Sequence, residues 1–245
     1  MNIALIGYGN MGKEIERLAP GHNITLSKIF TSKNNAWGIG LTRESLKDVD
    51  VCIDFSSPKA TMNNVKAVAE CGKNIVIGTT GWYNQLKDIG KIVKAKKTGL
   101  LYSPNFSLGM NIFSQILNAA SEYFEHFSDY DVAISEMHHR GKADSPSGTA
   151  LALGQIVLQH IHRKREVLDG PLHAPIGEGQ LHITSTRVGS VVGTHSVLFD
   201  SMADSIELIH TAKNRNGFAI GALIAARWLG KKKGIYTMKD VITSL

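Results

Sequence analysis

The sequence predicts an α/β protein in two parts: a parallel-sheet domain at the N-terminal end and a central α+β domain with an antiparallel or mixed sheet. Three observations predict it. Short apolar runs alternate with helix-period segments over the first hundred residues, which is the pattern of a parallel sheet with helical crossovers. A glycine-rich turn follows the first of those runs at once. Beyond residue 108 the order changes, and strand-like segments follow one another without helices between them.

Taken in order, residues 2–6 read as a buried strand and 11–18 as a helix. Further strands are expected at 24–30, 51–55, 75–77 and 100–102. Helices are expected at 58–71, closed by Gly72, and at 82–96. Residues 111–124 form a longer apolar helix. A short strand at 131–135 and a helix at 150–161 flank a polar loop. Residues 182–188, 190–199 and 205–212 alternate polar and apolar side chains, as half-buried strands do, with Gly189 and Gly193 as turn or bulge signals. An apolar helix at 217–229 closes the pattern. Boundaries therefore fall near Leu108 and Arg215, giving domains of 1–108 with 215–245, and 109–214.

Composition narrows the function. The chain has 245 residues, 43% hydrophobic and 20% charged, with a net charge of +6. That suits a folded protein with anionic ligands. The cationic runs at 94–97 and 231–233 are short and read as solvated helix ends, so no nucleic-acid partner is expected. Two cysteines, Cys52 and Cys71, support neither a disulfide framework nor a metal site. No signal segment or long apolar span is seen, so a soluble cytoplasmic protein is expected, with no membrane contact.

Two segments carry chemistry. Gly7, Gly9 and Gly12 fit G-x-G-x-x-G between a strand and a helix, where glycine permits close approach of backbone to a pyrophosphate. The same glycines would also serve a tight turn that binds nothing. An acid some 20 residues on usually takes the ribose hydroxyls of NAD. No Asp or Glu lies between Arg17 and Arg43, and the second strand ends in Thr31, Ser32 and Lys33. Hydroxyls with a cation suit a 2′-phosphate, so NADPH is expected to be preferred or at least well accepted. The alternative is that Lys33 merely faces solvent.

The second segment runs from Glu136 to Thr149. It holds His138, His139, Lys142 and a Ser-Pro-Ser-Gly-Thr helix start. Ser145 is expected to cap the helix, with Pro146 at its first position. Gly148 and Thr149 then offer backbone N–H groups to an anion. Histidine is the usual general acid near neutral pH, and Lys142 adds a cation. An extended chain would point His138 and His139 to opposite sides. An ordinary capped helix is the alternative for the helix start.

These residues resemble the dihydrodipicolinate reductase (4-hydroxy-tetrahydrodipicolinate reductase) family of lysine and diaminopimelate biosynthesis. The family pattern Glu-x-His-His-x-x-Lys-x-Asp-x-Pro-Ser-Gly-Thr-Ala is met by Glu136, His138, His139, Lys142, Asp144 and residues 146–150. Similarity continues at 53–55, 78–81, 105–109, 192–195 and 234–241, in family order. The resemblance implies a Rossmann-type domain made of both chain ends and a central α+β substrate-binding and oligomerisation domain with an open mixed sheet, which commonly builds a homotetramer. It implies hydride transfer from NADPH or NADH to a small cyclic dicarboxylate, giving tetrahydrodipicolinate and water. It implies His138 as general acid with Lys142 as its catalytic partner. His139, Lys142, Gly148 and Thr149 would hold the substrate carboxylates. Gly7, Gly9, Asn10, Met11 and Gly12 would cradle the pyrophosphate, with Thr31, Ser32 and Lys33 at the ribose. Phe55, Gly78, Thr79, Thr80, Asn105 and Phe106 would line the nicotinamide end.

Two positions depart from many members. Asn10 stands in a shortened glycine loop where an arginine is common. Thr31 and Ser32 stand where an acid and an arginine are common. Other two-domain reductases are less well matched: an aspartate-semialdehyde dehydrogenase needs a cysteine nucleophile on a loop, and both cysteines here fall in regular elements. A non-catalytic dinucleotide sensor would have no use for the His-His-x-x-Lys loop.

Overall fold

The structure is a computed structural model, and it describes residues 1–244. It divides into two compact units, Met1–Asn111 with Arg215–Leu245, and Ile112–Asn214.

The first unit is built on a six-stranded sheet, parallel throughout. Its strands are β1 (Asn2–Ile6), β2 (Thr25–Phe30), β3 (Val51–Asp54), β4 (Asn74–Ile77), β5 (Gly99–Tyr102) and, from the far end of the chain, β11 (Gly234–Thr237). The order across the sheet is β11-β5-β4-β3-β1-β2. The chain leaves β1 for an edge at β2 and then returns to β3 on β1's other side. The strand order reverses at β1, and ligands of open α/β sheets bind at such a point.

Period-two alternation sorts the strand side chains onto two faces. Ile3, Leu5, Val51, Ile53 and Leu101 meet α1 (Asn10–Leu18) and α6 (Asn216–Leu229) in one core. Ala4, Ile6, Cys52, Ile75, Ile77 and Leu100 form the other, with Val65 and Val68 of α2 (Pro58–Glu70) and Ile89 and Val93 of α3 (Leu86–Lys96). The third helix is shorter than 82–96. Tyr83–Gln85 form a 3₁₀ turn instead, because the fully buried Trp82 anchors its indole N–H on the Thr79 carbonyl, 2.7 Å away. The last strand, β11, and α7 (Met238–Thr243) escaped the sequence pattern. The strand is only four residues long, and an edge strand shows little alternation.

The second unit has a mixed five-stranded sheet, ordered β10-β9-β6-β8-β7. Its strands are β6 (Asp131–His138), β7 (Glu166–Leu168), β8 (Gln180–Arg187), β9 (Gly193–Asp200) and β10 (Ser205–Ala212). β6 pairs parallel with β8 and antiparallel with β9. α5 (Gly148–His160) lies against β6 and β8, so close that a methyl group on Gly154 would reach within 2.9 Å of Ile183. α4 (Leu108–Phe124) covers the β9 side, with Phe124 stacked on Phe199 at 4.1 Å between ring centroids. The opposite face of the sheet carries Met137, Leu198 and Ile209, all exposed.

Here the sequence expectation needs two corrections. β6 runs three residues past 135, so Glu136 and His138 belong to the strand and not to the loop. The strand continues because β8 and β9 hydrogen-bond to it on both sides, which overrides the polar composition. The α5 cap is Ser147, not Ser145. Its hydroxyl accepts from the Ala150 N–H at 3.2 Å, and helix begins at Gly148, leaving Pro146 outside.

No helix among the described residues is long and apolar enough to cross a membrane. Inside α6, a methyl on Gly221 would lie 1.8 Å from the Phe106 carbonyl oxygen. Gly221→Ala is therefore expected to destabilise the protein by about 1–3 kcal/mol through overpacking, read as a fall in the denaturant midpoint. An unchanged midpoint would show that α6 shifts without cost.

Candidate active site

In the first unit, β1 runs straight into the glycine turn. Gly7 has φ +93°, and a Cβ there would lie 2.5 Å from the Phe55 carbonyl oxygen. A Cβ on Gly12 would lie 2.6 Å from the Gly7 carbonyl oxygen. Both glycines are thus forced by contact, the first with the β3 exit and the second with the turn itself. Helix α1 starts at Asn10 with no side chain capping it and no acid in its first turn. Its leading N–H groups are directed outward, a fit for a phosphate.

Two cavities adjoin this turn. One of about 700 Å³ is lined by Gly7, Gly9, Thr31, Ser32, Trp37 and Lys59 among others. One of about 300 Å³ is lined by Phe55, Ser56, Pro58, Gly78, Thr79 and Thr80. Phe55 and Ser56 wall both, so the two form one run along the carboxyl ends of β2, β1, β3 and β4. Gly78 is compelled by Phe55, whose ring would lie 2.1 Å from a Cβ there. Lys33, Asn10, Met11, Gly12, Asn105 and Phe106 line neither cavity. Phe106 is buried edge-on to Phe55 at 5.9 Å, and the Asn105 carbonyl accepts from Ser103 and Asn111. No acidic residue lines the larger cavity.

In the second unit, Glu136 and His138 are two residues apart on β6 and so share its inner face. Glu136 is 3% exposed and His138 8%. One Glu136 oxygen accepts from the Arg187 guanidinium at 2.7 Å and from the Ser147 N–H at 3.2 Å. The other meets His138 Nδ1. Burial pushes the Glu136 carboxyl up, but Arg187, the Ser185 hydroxyl and His138 together outweigh it and hold it at about 2. Glu136 is therefore an anion at neutral pH and can only accept, so His138 Nδ1 carries a proton and Nε2 is the ring nitrogen left for chemistry. Space at Nε2 comes from Gly193, where a Cβ would lie 2.9 Å from that nitrogen.

His195 stands edge-on to His138 at 5.2 Å and shares a 3.2 Å hydrogen bond with the Ser147 hydroxyl. Burial first, and then the charge of His138, lower it to about 4. It is a neutral neighbour, and it does not compete for the role of acid.

Lys142 follows in the turn beyond β6, where its N–H donates to the His139 carbonyl. Its ammonium holds the Asp144 carboxylate at 2.7 and 2.9 Å. Lys142, with the Gly148 N–H adding to it, keeps that carboxyl below the ordinary range. The lysine and the helix start thus already grip a carboxylate of the chain itself. Asp144 is 56% exposed, and pairs of this kind contribute only about 0–1 kcal/mol, so an incoming carboxylate can replace it at little cost. No cluster of three or more metal-ligating side chains occurs among the described residues.

Residues 1–106 match the dihydrodipicolinate reductase N-terminal model and residues 109–242 match its C-terminal model. The chain belongs to the dihydrodipicolinate reductase family. Among its curated relatives, the 4-hydroxy-tetrahydrodipicolinate reductase of Christiangramia forsetii is 38% identical, covering 100% of this chain and 99% of that protein. That of Zymomonas mobilis is 39% identical, covering 99% and 97%. In fold, the chain is similar to a dipicolinate-bound dihydrodipicolinate reductase from Paenisporosarcina sp. TG-14, with a TM-score of 0.79, 23% identity and 98% coverage of both chains.

Glu136, Arg187, Ser147, Gly193 and His195 are not among the site residues expected from the sequence, where Gly193 is only a turn or bulge signal. The i, i+2 spacing of Glu136 and His138 was the available signal for the first. Nothing local points to Arg187 or His195, which arrive from β8 and β9.

Two predictions follow from this geometry. Glu136→Gln leaves Arg187 without its charge partner and His138 without an obligate acceptor. It should cost about 3 kcal/mol of stability and lower turnover by ~10-fold or more, seen in denaturation and steady-state rates. Full turnover in the variant would show that His138 needs no anchor. For His195, the unfolded imidazole titrates near 6.5 and the folded one near 4. The unfolded chain then binds a proton that the folded chain refuses, so stability falls as pH drops from about 6.5 to about 4. His195→Gln should flatten that part of the profile of melting temperature against pH, and an unaltered slope would place the titration elsewhere.

Proposed function

We propose that the first unit holds NAD(P)H and the second the dicarboxylate, so that this family member reduces 4-hydroxy-tetrahydrodipicolinate to tetrahydrodipicolinate with release of water. The observation that carries the reading is the grip of Lys142 and the α5 start on a carboxylate beside the Glu136–His138 pair. The cofactor supplies the hydride. The chain supplies everything else. Gly7, Gly9 and the α1 start receive the pyrophosphate, and Gly78, Thr79 and Thr80 with Phe55 receive the nicotinamide end. His139, Lys142, Gly148 and Thr149 bind the substrate carboxylates, with Asp144 giving up its place. His138 holds the transferable proton at Nε2 while Glu136 fixes the ring, and Lys142 stabilises negative charge on the substrate.

NADPH is the better-suited cofactor. Thr31 and Ser32 stand at the end of β2 where NAD enzymes place an acid, and the cavity they line has Lys59 and no carboxylate. The exposed apolar residues Met137, Leu198 and Ile209 on the free sheet face support assembly through that face into a homotetramer. A cytoplasmic site of action fits a biosynthetic reductase of this kind.

The test is a coupled assay with freshly generated dihydrodipicolinate synthase product. Oxidation of NADPH is expected, and absence of turnover with either cofactor would overturn the reading. NADH used tenfold better than NADPH would overturn the cofactor preference alone. His138→Ala and Lys142→Ala should each lower turnover ~10²-fold or more with the fold intact; a loss under threefold would move the chemistry to other residues.

A further inference from the structure

The larger cavity of the first unit joins different chemistries. Gly7 and Gly9 of the glycine turn line it together with Thr31 and Ser32. Phe30, Ala36, Trp37 and Ala60 give it an apolar wall as well. A dinucleotide whose pyrophosphate lies at the glycine turn and whose ribose lies at Thr31 and Ser32 must place its adenine against that wall.

Trp37 is out of place as an ordinary residue. It is 64% exposed, yet its backbone sits at φ 56°, ψ 27°, the left-handed region that side chains other than Asn and Asp seldom adopt. Such strain persists only where the surroundings impose it, and here they do. Thr31 N–H donates to Asn34 Oδ1 at 2.7 Å, and Asn34 donates to the Ile29 carbonyl. Buried Asn35 accepts from the Gly40 N–H at 3.0 Å and donates to Asn64 of α2 at 3.2 Å. Asn64 in turn donates to Asp54, fully buried at the end of β3, at 2.9 Å. Gly40 is moulded onto the Asn34 carbonyl, which a Cβ would approach to 2.2 Å. A loop fixed this firmly presents a large, mostly exposed indole at the cavity wall.

We propose that Trp37 is the platform on which the adenine ring of the cofactor stacks, held by the buried chain Asn35–Asn64–Asp54. This rests on the reading of the cavity as the NAD(P)H site. Stacking is indifferent to the 2′-phosphate, so Trp37 contributes affinity for both cofactors while Thr31 and Ser32 discriminate between them.

The test measures binding of NADPH, NADH, adenosine 2′,5′-bisphosphate and reduced nicotinamide mononucleotide to the full chain by calorimetry. Trp37→Ala should weaken the first three about tenfold. It should leave binding of reduced nicotinamide mononucleotide within twofold. Trp37→Phe should restore most of the affinity. Adenosine 2′,5′-bisphosphate should quench tryptophan emission in the parent and not in Trp37→Phe, since Trp82 is buried and Trp228 lines no part of the cavity. If Trp37→Ala binds the bisphosphate within twofold of the parent, adenine stacks elsewhere, and tight NADPH binding by the parent would still leave the cofactor site standing. If the parent binds neither dinucleotide, the cavity reading and the platform fall together.

Discussion

The carboxylate of Glu136 has no contact with solvent, and three parts of the second unit are tied to it. Arg187 reaches it from the end of β8, the Ser147 N–H from the start of α5, and His138 from its own strand. An ionised carboxylate in so dry a place is tolerated only because a guanidinium and several donors surround it. The arrangement therefore cannot be relaxed piecemeal. Where Glu136 sits decides where the imidazole points and where the helix start lies. The anion grip of Lys142 and Gly148 is built on that frame.

A second buried carboxylate, Asp54, has the corresponding place in the first unit, and the contrast is instructive. It ends its strand and likewise gathers neighbours: the Ser56 N–H at 2.8 Å, Asn64 at 2.9 Å and Thr79 at 3.4 Å. Its partners are all neutral. Burial therefore wins, and the carboxyl is pushed up, whereas the cation beside Glu136 brings that one down. One carboxylate orders loops around a cavity; the other is an anion that fixes the ring of the histidine beside it. The chemistry of the partner sets the difference, since both side chains are equally hidden.

Glycine acts in both units by the same physics. Gly7, Gly12 and Gly78 hold space at the glycine turn and around Phe55, and Gly193 holds space at His138 Nε2. In each case a Cβ would collide with its surroundings. At Gly7, Gly78 and Gly193 the residue type is dictated by a neighbour distant in sequence, and at Gly12 by the turn itself. At Gly7 a positive φ adds a second reason.

The α/β class, the parallel sheet and the strand-rich second domain were legible because hydrophobic periodicity is local: a strand's two faces and a helix's stripe are written within ten residues. The resemblance carried by residues 136–150 was legible for the same reason, being contiguous. Other features were not. β6 extends through Glu136 and His138 because strands 45 or more residues away pair with it, and the α5 cap moved to Ser147 with it. Arg187 stands 51 residues from the carboxylate it neutralises, and His195 stands 48 from Ser147. The sequence by itself determined most of the helices and strands, though not β7, β11 or α7, and which residues can carry protons and charge. Only the tertiary structure decided which nitrogen of His138 is free, which carboxylate stays ionised, and which indole faces an open cavity, because each depends on burial and on partners that the fold alone brings within 3 Å.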